Sequence, residues 1–507
     1  MLDLPSAARQ AALFDQITND PSPVASDATP LCVDLDGTLV RTDLLVEGLV
    51  SLFTSRRAVN ALPSLLTLNR AILKQRVAEL ANIDVTILPY NEELIAYLIE
   101  QKTIGRRLIL VTAADETLAR AVASHLGIFD LVLSSDGKTN LKGKKKARLL
   151  VDYFGKGAFD YAGNDRNDLV VWSEARRAIV VNAKGQVQSK VRKLDDVDFR
   201  FASRASVFRY ALKALRPHQW CKNVLVFVPM IMAHAVENRT TWLHAFAMFL
   251  AFCAMASCIY LLNDISDLAA DRRHPRKCRR PFASGRLGLP IGLMLAVLCG
   301  VLGFSLALSV GGQVIILVYA AISVAYSLGL KEFPILDVFL LATLYTIRML
   351  GGGVATGYDV SLWLLAFSGF LFLSLALVKR AGEMDGVLRA GGAGKAARRG
   401  YLSDDLPMLT SFGCASSFTS SIVLALFVRS DDAMLHYGTP QLLWFVVPLT
   451  LFWQCRLWLS TTRGHMHDDP IVYAATDWVS WIVVALVLVV VAGAALGLPL
   501  DMIGIAR

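Results

Sequence analysis

The pattern of hydrophobic and polar positions divides the 507-residue chain into two parts. Residues 1–215 alternate short apolar runs with polar segments, as a soluble domain does. Residues 223–497 are mostly apolar runs of about twenty residues, the length of a membrane-spanning helix. We predict nine spans, at residues 223–236, 242–262, 289–309, 312–329, 335–355, 361–379, 410–428, 440–460 and 477–497. The first predicted span is short and contains Pro229.

The same pattern predicts the domain organisation. Strand-like runs alternate with helical patterns at residues 30–195, which favours an α/β domain with a parallel sheet. An N-terminal extension at residues 1–29 precedes it, and residues 44–88 are interpreted as a helical cap. Residues 196–222 form a basic amphipathic linker. Residues 223–507 are expected to be an all-α membrane domain.

Composition and charge support an integral membrane protein. The chain is 55% hydrophobic and 18% charged, which excludes an ordinary soluble protein. Arg and Lys concentrate in the loops after the second and sixth spans, so both loops are expected to face the cytosol. The first residues lack an apolar signal segment, which predicts a cytosolic N-terminal domain on a bacterial-type cytoplasmic membrane. Anionic lipids and phosphate substrates explain the net charge of +9 without nucleic acid.

The first candidate site lies in "LCVDLDGTLVRTD", an apolar strand that ends in Asp34 and Asp36. Two carboxylates at this spacing suit a nucleophile that attacks phosphorus and a general acid that protonates the leaving group. The alternative is an acidic turn after a buried strand. Further segments, "RRLILVTAAD", "NLKGKKKARLL" and "AFDYAGNDRNDLVVW", add a second strand end, a lysine before a helical pattern and an acidic loop.

These four segments, in this order, resemble the haloacid dehalogenase (HAD) superfamily of phosphatases over about residues 30–190. The resemblance implies a Mg²⁺-dependent phosphatase. The roles that it implies are nucleophile for Asp34, acid/base for Asp36, and contacts to the phosphoryl group for Thr112 and Lys146.

The metal ligands that the resemblance implies are Asp34, Asp36, Asn164 and Asp168. The sequence departs from the family pattern at Asn164, where the family has an aspartate. A neutral amide is a weaker Mg²⁺ ligand than a carboxylate. A degenerate or regulatory domain is therefore the alternative to a working phosphatase.

The second candidate site is "NDISDLAADRRHPRKCRRPFASG", directly after the second predicted span. Asp264, Asp267 and Asp271 stand at i, i+3 and i+7, so a helix would place all three on one face. Carboxylates that close repel each other unless a cation lies between them. Hard oxygen ligands suit Mg²⁺, which often shares its coordination with substrate phosphates. The basic residues that follow are suited to the rest of an anionic substrate.

This motif resembles the first aspartate-rich motif of the UbiA superfamily of intramembrane prenyltransferases. A second polar cluster is expected after the fourth span, and "YSLGLKEFPILD" supplies Tyr326, Lys331 and Asp337. The resemblance covers about residues 210–500 and implies nine helices around a cavity in which Mg²⁺ holds a pyrophosphate.

Three further motifs, "LRPHQWCKN", "DRRHPRKCRRPFASG" and "RGHMHDDP", are similar to the branch that contains decaprenyl-phosphate phosphoribosyltransferase. That branch uses 5-phosphoribosyl 1-pyrophosphate (PRPP) as donor and a polyprenyl phosphate as acceptor. The substrate-binding residues expected here are Lys222, Asn223, Asn263, Arg272, Lys277, Arg279, Arg280, Tyr326, Lys331, Asp337 and Arg348. For Arg348, inside the fifth span, an ion pair with Asp337 or a neighbouring residue is the structural alternative.

We therefore predict a bifunctional membrane enzyme. Its membrane domain would transfer 5-phosphoribose from PRPP to a polyprenyl phosphate with Mg²⁺, and its HAD-like domain would dephosphorylate the product. One alternative is an aromatic prenyltransferase that uses a prenyl pyrophosphate. Another is an HAD domain anchored by a non-catalytic membrane scaffold.

Overall fold

The computed structural model describes residues 29–54, 70–136, 139–183, 185–194, 196–201, 206–389, 400–466 and 469–498. The chain divides into two compact units. The first comprises Met1–Ala214 and Leu262–Met294, and the second comprises Leu215–Leu261 and Leu295–Arg507. The aspartate-rich motif therefore belongs to the first unit. Most of the predicted extension, and residues 55–69 of the predicted cap, lie outside the described residues.

A six-stranded sheet forms the centre of the first unit, and all its pairings are parallel, as the alternating pattern predicts. The strands are β1 (Leu31–Val33), β2 (Leu108–Asp115), β3 (Leu131–Ser135), β4 (Asp160–Gly163), β5 (Arg177–Val181) and β6 (Val197–Phe201). Leu31 and Val33 enter one buried cluster and Cys32 enters the other. Both faces of the sheet are thus covered, which is why its strands are continuous apolar runs.

The strand order places the candidate phosphatase residues together. The order is β3-β2-β1-β4-β5-β6, so the chain reverses direction across the sheet between β1 and β4. Ligands of doubly wound sheets bind at the carboxyl ends of the strands at such a reversal. The motifs that resemble the HAD superfamily lie in the loop after β1, within β2, in the segment after β3 and in the loop after β4.

Helices cover the sheet and form part of the predicted cap. They are α1 (Leu44–Thr54), α2 (Arg70–Leu80), α3 (Glu92–Thr103), α4 (Glu116–Leu126), α5 (Lys144–Phe154), α6 (Leu169–Trp172), α7 (Gly185–Val191) and α8 (Val207–Leu215). Both α1 and α2 lie in the predicted cap and share a small apolar core of Leu52, Val77 and Ala81.

The remaining helices begin after the linker. They are α9 (Val228–Met232), α10 (Arg239–Ser266), α11 (Leu268–Arg273), α12 (Leu289–Ser309), α13 (Gln313–Leu328), α14 (Leu336–Thr356), α15 (Leu362–Arg389), α16 (Leu406–Val428), α17 (Asp431–His436), α18 (Val446–Thr462), α19 (Pro470–Thr476) and α20 (Trp478–Ala495). Among the described residues, seven helices are long and apolar enough to cross a membrane. They are α10, α12, α14, α15, α16, α18 and α20, with short 3₁₀ turns preceding α16 and α18.

The predicted count of nine spans is not confirmed. Helix α13 coincides with the fourth predicted span but has only 16 residues. The first predicted span is a 3₁₀ helix at Pro217–Phe227 followed by the five-residue α9. Pro229 cannot donate a backbone hydrogen bond, so a continuous helix through it is disfavoured.

Close backbone packing in the second unit brings the Pro217–Phe227 segment against α14. A Cβ on Gly352 would lie 1.9 Å from the carbonyl oxygen of Val226, so only glycine allows this approach. Small residues commonly permit such contacts between membrane helices. The contact carries Lys222 and Asn223 to the polar face of α14.

Candidate functional site

The HAD-like motifs converge on Asp34, which directly follows β1 and is buried. Lys146, in the first turn of α5, places its Nζ 2.7 Å from Asp34 Oδ1. The same ammonium group donates to the Tyr161 hydroxyl at 2.8 Å. The roles that the resemblance implies for Asp34 and Lys146 stay predictions. Tyr161 was not anticipated, because a tyrosine inside a strand carries no distinguishing sequence signal.

Asp168 is held by the loop after β4. Its Oδ1 accepts from the Tyr161 hydroxyl at 2.9 Å, and its Oδ2 accepts from the backbone N–H groups of Asn164 and Asp165 at 2.9 Å. These bonds shape the loop and orient Asn164 toward the turn after β1. Gly37 has φ +76°, and a Cβ there would lie 2.0 Å from Asn164 Nδ2. The amide that replaces the usual carboxylate therefore packs directly against the "DLDGT" turn.

Asp36 and Thr112 have local partners in the same unit. Asp36 Oδ1 accepts from the backbone N–H of Leu44 at 3.0 Å, which ties the acid/base candidate to the start of α1. The Thr112 hydroxyl is buried and accepts from the backbone N–H of Ala114 at 3.0 Å. Lys74 of α2 was missed: its Nζ donates to the Ala113 carbonyl at 2.6 Å and to Asn140 Oδ1 at 3.3 Å. The cap thus contributes a cation to the site.

Burial shifts the acidity of these carboxyl groups. It raises the pKa of Asp34 to about 6, although Lys146 opposes the shift. It also raises the pKa of Asp36 to about 7, and Asp43 adds to that effect. Burial lowers the pKa of Lys74 while Asp36 and Asp43 oppose the change. Carboxyl groups with raised pKa values are suited to proton transfer near neutral pH.

An open cleft of about 1420 Å³ surrounds Asp34 and Asp36. Six basic side chains line it: Arg41, Lys74, Lys142, Lys146, Arg200 and Arg286. Residues that directly precede or begin helix α12 also line it, among them Gly288 and Pro290. A cleft with a basic wall and an acidic floor suits an anionic phosphate ester.

The aspartate-rich motif departs from a single helix. Asp264 lies on the last turn of α10, Asp267 between the two helices, and Asp271 on α11. Asp264 and Asp271 are both buried, and Arg280 Nη1 bridges them at 3.0 and 2.6 Å. The two carboxylates thus share one cation, as their spacing predicts, but that cation is an arginine of the same motif.

The donor set at this bridge fits Mg²⁺ in its chemistry. Two buried carboxylates converge on one positive group, the guanidinium of Arg280, whose side chain is 29% exposed. Across the described ranges, no three His, Cys, Asp or Glu side chains converge closely enough to hold a metal ion. Substrate oxygens would have to complete the coordination, which is common for Mg²⁺. In the HAD-like site, the four implied ligands all line the cleft, and their roles in holding a metal stay predictions: Asp34, Asp36, Asn164 and Asp168.

The other predicted residues of this motif divide into paired and exposed groups. Arg272 donates to the two carboxylate oxygens of Glu47 on α1, so its guanidinium has a protein partner. Lys277 and Arg279 are exposed on a 3₁₀ turn, and Asn263 is half-buried on α10. Their predicted roles in binding substrate stay predictions.

A second polar cluster is buried in the helical unit. Lys222 Nζ lies 2.7 Å from Asp469 Oδ2, and Lys379 Nζ lies 3.3 Å from the same oxygen. The Tyr345 hydroxyl donates to Asp469 at 3.1 Å. Lys222 was predicted as a site residue, whereas Lys379, the last residue of the sixth predicted span at 361–379, was not. Helix α15 continues to Arg389 and places Lys379 within the helix.

Arg348 joins this cluster through neutral partners. Its Nε donates to Asn223 Oδ1 at 2.7 Å and its Nη2 donates to the Tyr319 hydroxyl at 3.0 Å. The guanidinium also lies over the rings of Tyr319 and Tyr345, 4.8 and 5.9 Å from their centroids. The alternative ion pair between Arg348 and Asp337 is wrong, because Asp337 has another partner.

That partner is Arg380 of α15, which was not anticipated. Arg380 Nη2 lies 2.6 Å from Asp337 Oδ2, and both side chains are fully buried. The Tyr401 hydroxyl donates to Asp337 at 2.6 Å, and Arg380 donates to the Tyr326 hydroxyl at 3.3 Å. Asp337 and Tyr326 are therefore brought together, whereas Lys331 lies half-buried on a 3₁₀ turn.

The "RGHMHDDP" motif contributes Asp469 rather than a set of histidines. Asp469 caps α19 by accepting from the backbone N–H of Ile471 at 3.2 Å. His467 and Asp468 lie outside the described residues. The motif thus supplies the carboxylate that Lys222 and Lys379 share.

One family model and several known proteins match parts of this chain. The model of the UbiA prenyltransferase family matches residues 224–469. The uncharacterized protein y4nM of Sinorhizobium fredii is 36% identical over 468 residues, 90% of this chain and 89% of that protein. Decaprenyl-phosphate phosphoribosyltransferase of Mycobacterium tuberculosis is 33% identical over 205 residues, 39% of this chain and 68% of that protein. The solved structure of a UbiA homolog from Archaeoglobus fulgidus bound to GPP and Mg²⁺ is 15% identical, with a TM-score of 0.44, and the match covers 56% of this chain and 99% of that chain.

The family match includes the aspartate-rich motif and, of the buried cluster, Arg348, Lys379 and Asp469, whereas Lys222 and Asn223 directly precede it. Two of these relatives share more than 30% identity with the chain over more than two thirds of their own length. The HAD-like half precedes the matched region. Together these findings establish that the chain belongs to the UbiA prenyltransferase family.

Proposed function

We propose that the protein transfers 5-phosphoribose from PRPP to a polyprenyl phosphate, and that its HAD-like half then removes the 5-phosphate. The observation that carries the transfer is the charge of the buried cluster. Lys222 and Lys379 share one carboxylate, Asp469. Among the described residues, Arg348 has only neutral hydrogen-bond partners, so these three positive charges against one negative leave a formal excess of two. The ring of Tyr345 faces both Lys222 and Arg348, which makes this one cluster. Buried charge without a partner is costly, so the cluster favours an anionic ligand.

PRPP suits this arrangement because it carries two anionic ends. A phosphate monoester has a charge of about −1.5 to −2 near neutral pH, close to the excess of the cluster. Its pyrophosphate is a group that Mg²⁺ commonly binds together with carboxylates. A prenyl pyrophosphate has one anionic end and an apolar tail, and it would leave the buried cations without a ligand. The name of the mycobacterial relative supports the same donor and a polyprenyl acceptor.

The transfer step needs positioning and charge more than proton transfer. When bound, Mg²⁺ would supply the charge that neutralises the departing pyrophosphate, with Asp264 and Asp271 as its holders. The bond between ribose C1 and the pyrophosphate oxygen breaks, and its electron pair leaves with pyrophosphate. An oxygen of the polyprenyl phosphate forms the new bond to C1 from the opposite face, with inversion. This oxygen is already anionic, so no strong base is required.

The second step would use the HAD-like site. Asp34 attacks the phosphorus of the 5-phosphate and forms an aspartyl phosphate, while Asp36 protonates the departing ribose oxygen. Water activated by Asp36 then releases inorganic phosphate and restores Asp34. Lys146 and the basic wall of the cleft hold the phosphoryl group. We place both reactions on the cytosolic side of a cytoplasmic membrane, where water-soluble PRPP is available.

The experiment uses the full-length protein in detergent or lipid nanodiscs with Mg²⁺. One arm supplies PRPP and polyprenyl phosphate, and the other supplies a prenyl pyrophosphate and 4-hydroxybenzoate. Product lipids are identified by mass spectrometry. The proposal expects a ribosylated lipid in the first arm and no prenylated ring in the second.

A matched pair of variants tests the cation cluster. Arg348→Gln should lower kcat/KM for PRPP by at least about 100-fold, since it removes a main electrostatic contact. Arg429→Gln, at an exposed position of the same unit, should leave it unchanged. Prenylation of 4-hydroxybenzoate without ribosylation would replace the proposal with an aromatic prenyltransferase. If Asp264 can be changed without loss of the protein's cellular function, the membrane half is a non-catalytic scaffold.

A further inference from the structure

A buried ion pair joins the cap of the HAD-like half to the aspartate-rich motif inside the first unit. Arg272 Nη1 lies 2.9 Å from Glu47 Oε2, and Nη2 lies 2.5 Å from Oε1, so the pair is bidentate. The two side chains are only 6% and 5% exposed. Bidentate arginine–carboxylate pairs fix both distance and orientation. A pair this well buried is unlike the surface ion pairs of the same half, such as Arg76–Glu79.

Each end of the pair is next to a predicted catalytic group. Glu47 lies on α1, whose first N–H, that of Leu44, is bonded to Asp36. Arg272 directly follows Asp271 on α11, and its Nε also donates to the Ala283 carbonyl at 3.2 Å. The Glu47 carboxylate therefore fixes a guanidinium that ties together both ends of the segment carrying Arg280.

Two further contacts join the HAD-like half to the segment that follows the aspartate-rich motif. Gly285 has φ +67°, and a Cβ there would lie 2.7 Å from the backbone oxygen of Arg41, so the two chain segments touch through their backbones. Arg273 Nη2 lies 2.8 Å from Asp84 Oδ2 at an exposed position beside the cap. The HAD-like half and the aspartate-rich motif are thus joined by a buried ion pair, an exposed ion pair and a backbone contact. Gly285 permits the backbone contact, because any side chain there would meet Arg41.

We propose that Glu47 is a positioning residue for the transfer reaction, although it belongs to the HAD-like half. Helix α11 has only six residues, too few to be stable without outside support. Glu47 supplies that support through Arg272, which sets the direction in which Asp271 points toward Arg280 and Asp264. It also neutralises Arg272, so that this arginine does not compete for the carboxylate of Asp271. The inference rests on the proposed role of Asp264 and Asp271 in holding the donor pyrophosphate.

The test measures transfer by the full-length protein in variants that change charge without changing size. Glu47→Gln keeps the shape and loses the charge, and it should reduce kcat/KM for PRPP by about tenfold or more. The KM for polyprenyl phosphate should stay within about twofold, because the acceptor does not bind the aspartates. Glu79→Gln is the matched control, since it removes one carboxylate of the cap at an exposed pair. It should leave both constants unchanged.

Two more variants separate positioning from folding. Glu47→Asp keeps the charge and should recover at least half of the lost activity. The exchanged pair Glu47→Arg with Arg272→Glu should exceed either single change in transfer. Hydrogen exchange of residues 264–286 gives a readout besides activity, and it should quicken in Glu47→Gln but not in Glu79→Gln.

The outcomes are distinct from those of the proposed function. Absence of ribosyl transfer by the unchanged protein would refute the proposed function itself. Normal transfer and normal hydrogen exchange in Glu47→Gln would overturn the positioning role alone. Equal loss in Glu47→Gln and Glu47→Asp, with both KM values raised and a lowered melting temperature, would reduce the pair to a structural contact and also overturn it.

Discussion

Replacing Asp337 by asparagine separates a structural from a substrate-binding role for the second polar motif. Asp337 and Arg380 are fully buried and their charged atoms lie 2.6 Å apart. Removing one charge of such a pair costs about 3–5 kcal/mol, because the other charge is left buried without compensation. Glu383 also pairs with Arg380, and its side chain is 38% exposed, so the cost should fall near the lower end. About 3 kcal/mol changes the ratio of folded to unfolded protein by roughly 150-fold.

The assay compares thermal unfolding and transfer kinetics of the detergent-solubilised protein. Asp337→Asn should lower the melting temperature, whereas Asp359→Asn, at an exposed position of the same unit, should not. Adding Arg380→Met to Asp337→Asn should recover at least half of the lost stability, because the charge that then loses its contact with Arg380, that of Glu383, is 38% exposed and is solvated. Below its melting temperature, the single variant should keep the KM for PRPP.

The opposite result would support the role that the motif predicts. If Asp337→Asn melted like Asp359→Asn but raised the KM for PRPP severalfold, Asp337 would bind substrate. The ion pair with Arg380 would then be a resting contact that breaks when the donor binds. Our reasoning that burial makes this pair structural would be refuted.

Three further predictions concern the two catalytic halves. Asp34→Asn should leave ribosyl transfer intact and make the 5-phosphorylated lipid accumulate, as seen by mass spectrometry; identical lipids from both proteins would end the proposed coupling. Asp264→Asn should reduce transfer by about 100-fold or more by removing charge from the pyrophosphate site, and full activity would contradict that assignment. Burial raises the pKa of Asp36 to about 7 from an unfolded value near 3.9. Its stabilising protonation is complete below about pH 4 and is lost as pH rises through 7, so metal-free protein should lose up to about 1.4 kcal/mol per pH unit across that window. Asp36→Asn should reduce this slope in thermal unfolding followed from pH 4 to 8 and leave the part below about pH 6 that comes from Asp34, and an unchanged slope would assign it to other groups.

The sequence by itself determined the two-part organisation and the family. Apolar strands followed by acidic turns predicted the parallel sheet, with Asp34 at the carboxyl ends of its strands. Side chains at the carboxyl ends of adjacent parallel strands lie close together. Runs of about twenty apolar residues likewise predicted most of the membrane helices. Asp264, Asp267 and Asp271 stand at i, i+3 and i+7. Residues at this spacing lie on one face of a helix, so the sequence predicted a cation shared by the carboxylates.

Only the tertiary structure decided which charges meet. Arg280 lies between Asp264 and Asp271 because the segment folds back on itself, which no local pattern indicates. Arg380 pairs with Asp337 through the packing of two helices that are distant in sequence. Glu47 reaches Arg272 across 225 residues of chain. Ion pairs of this kind depend on the packing of whole elements, so helical and strand periodicity, which act over a few residues, carry no information about them.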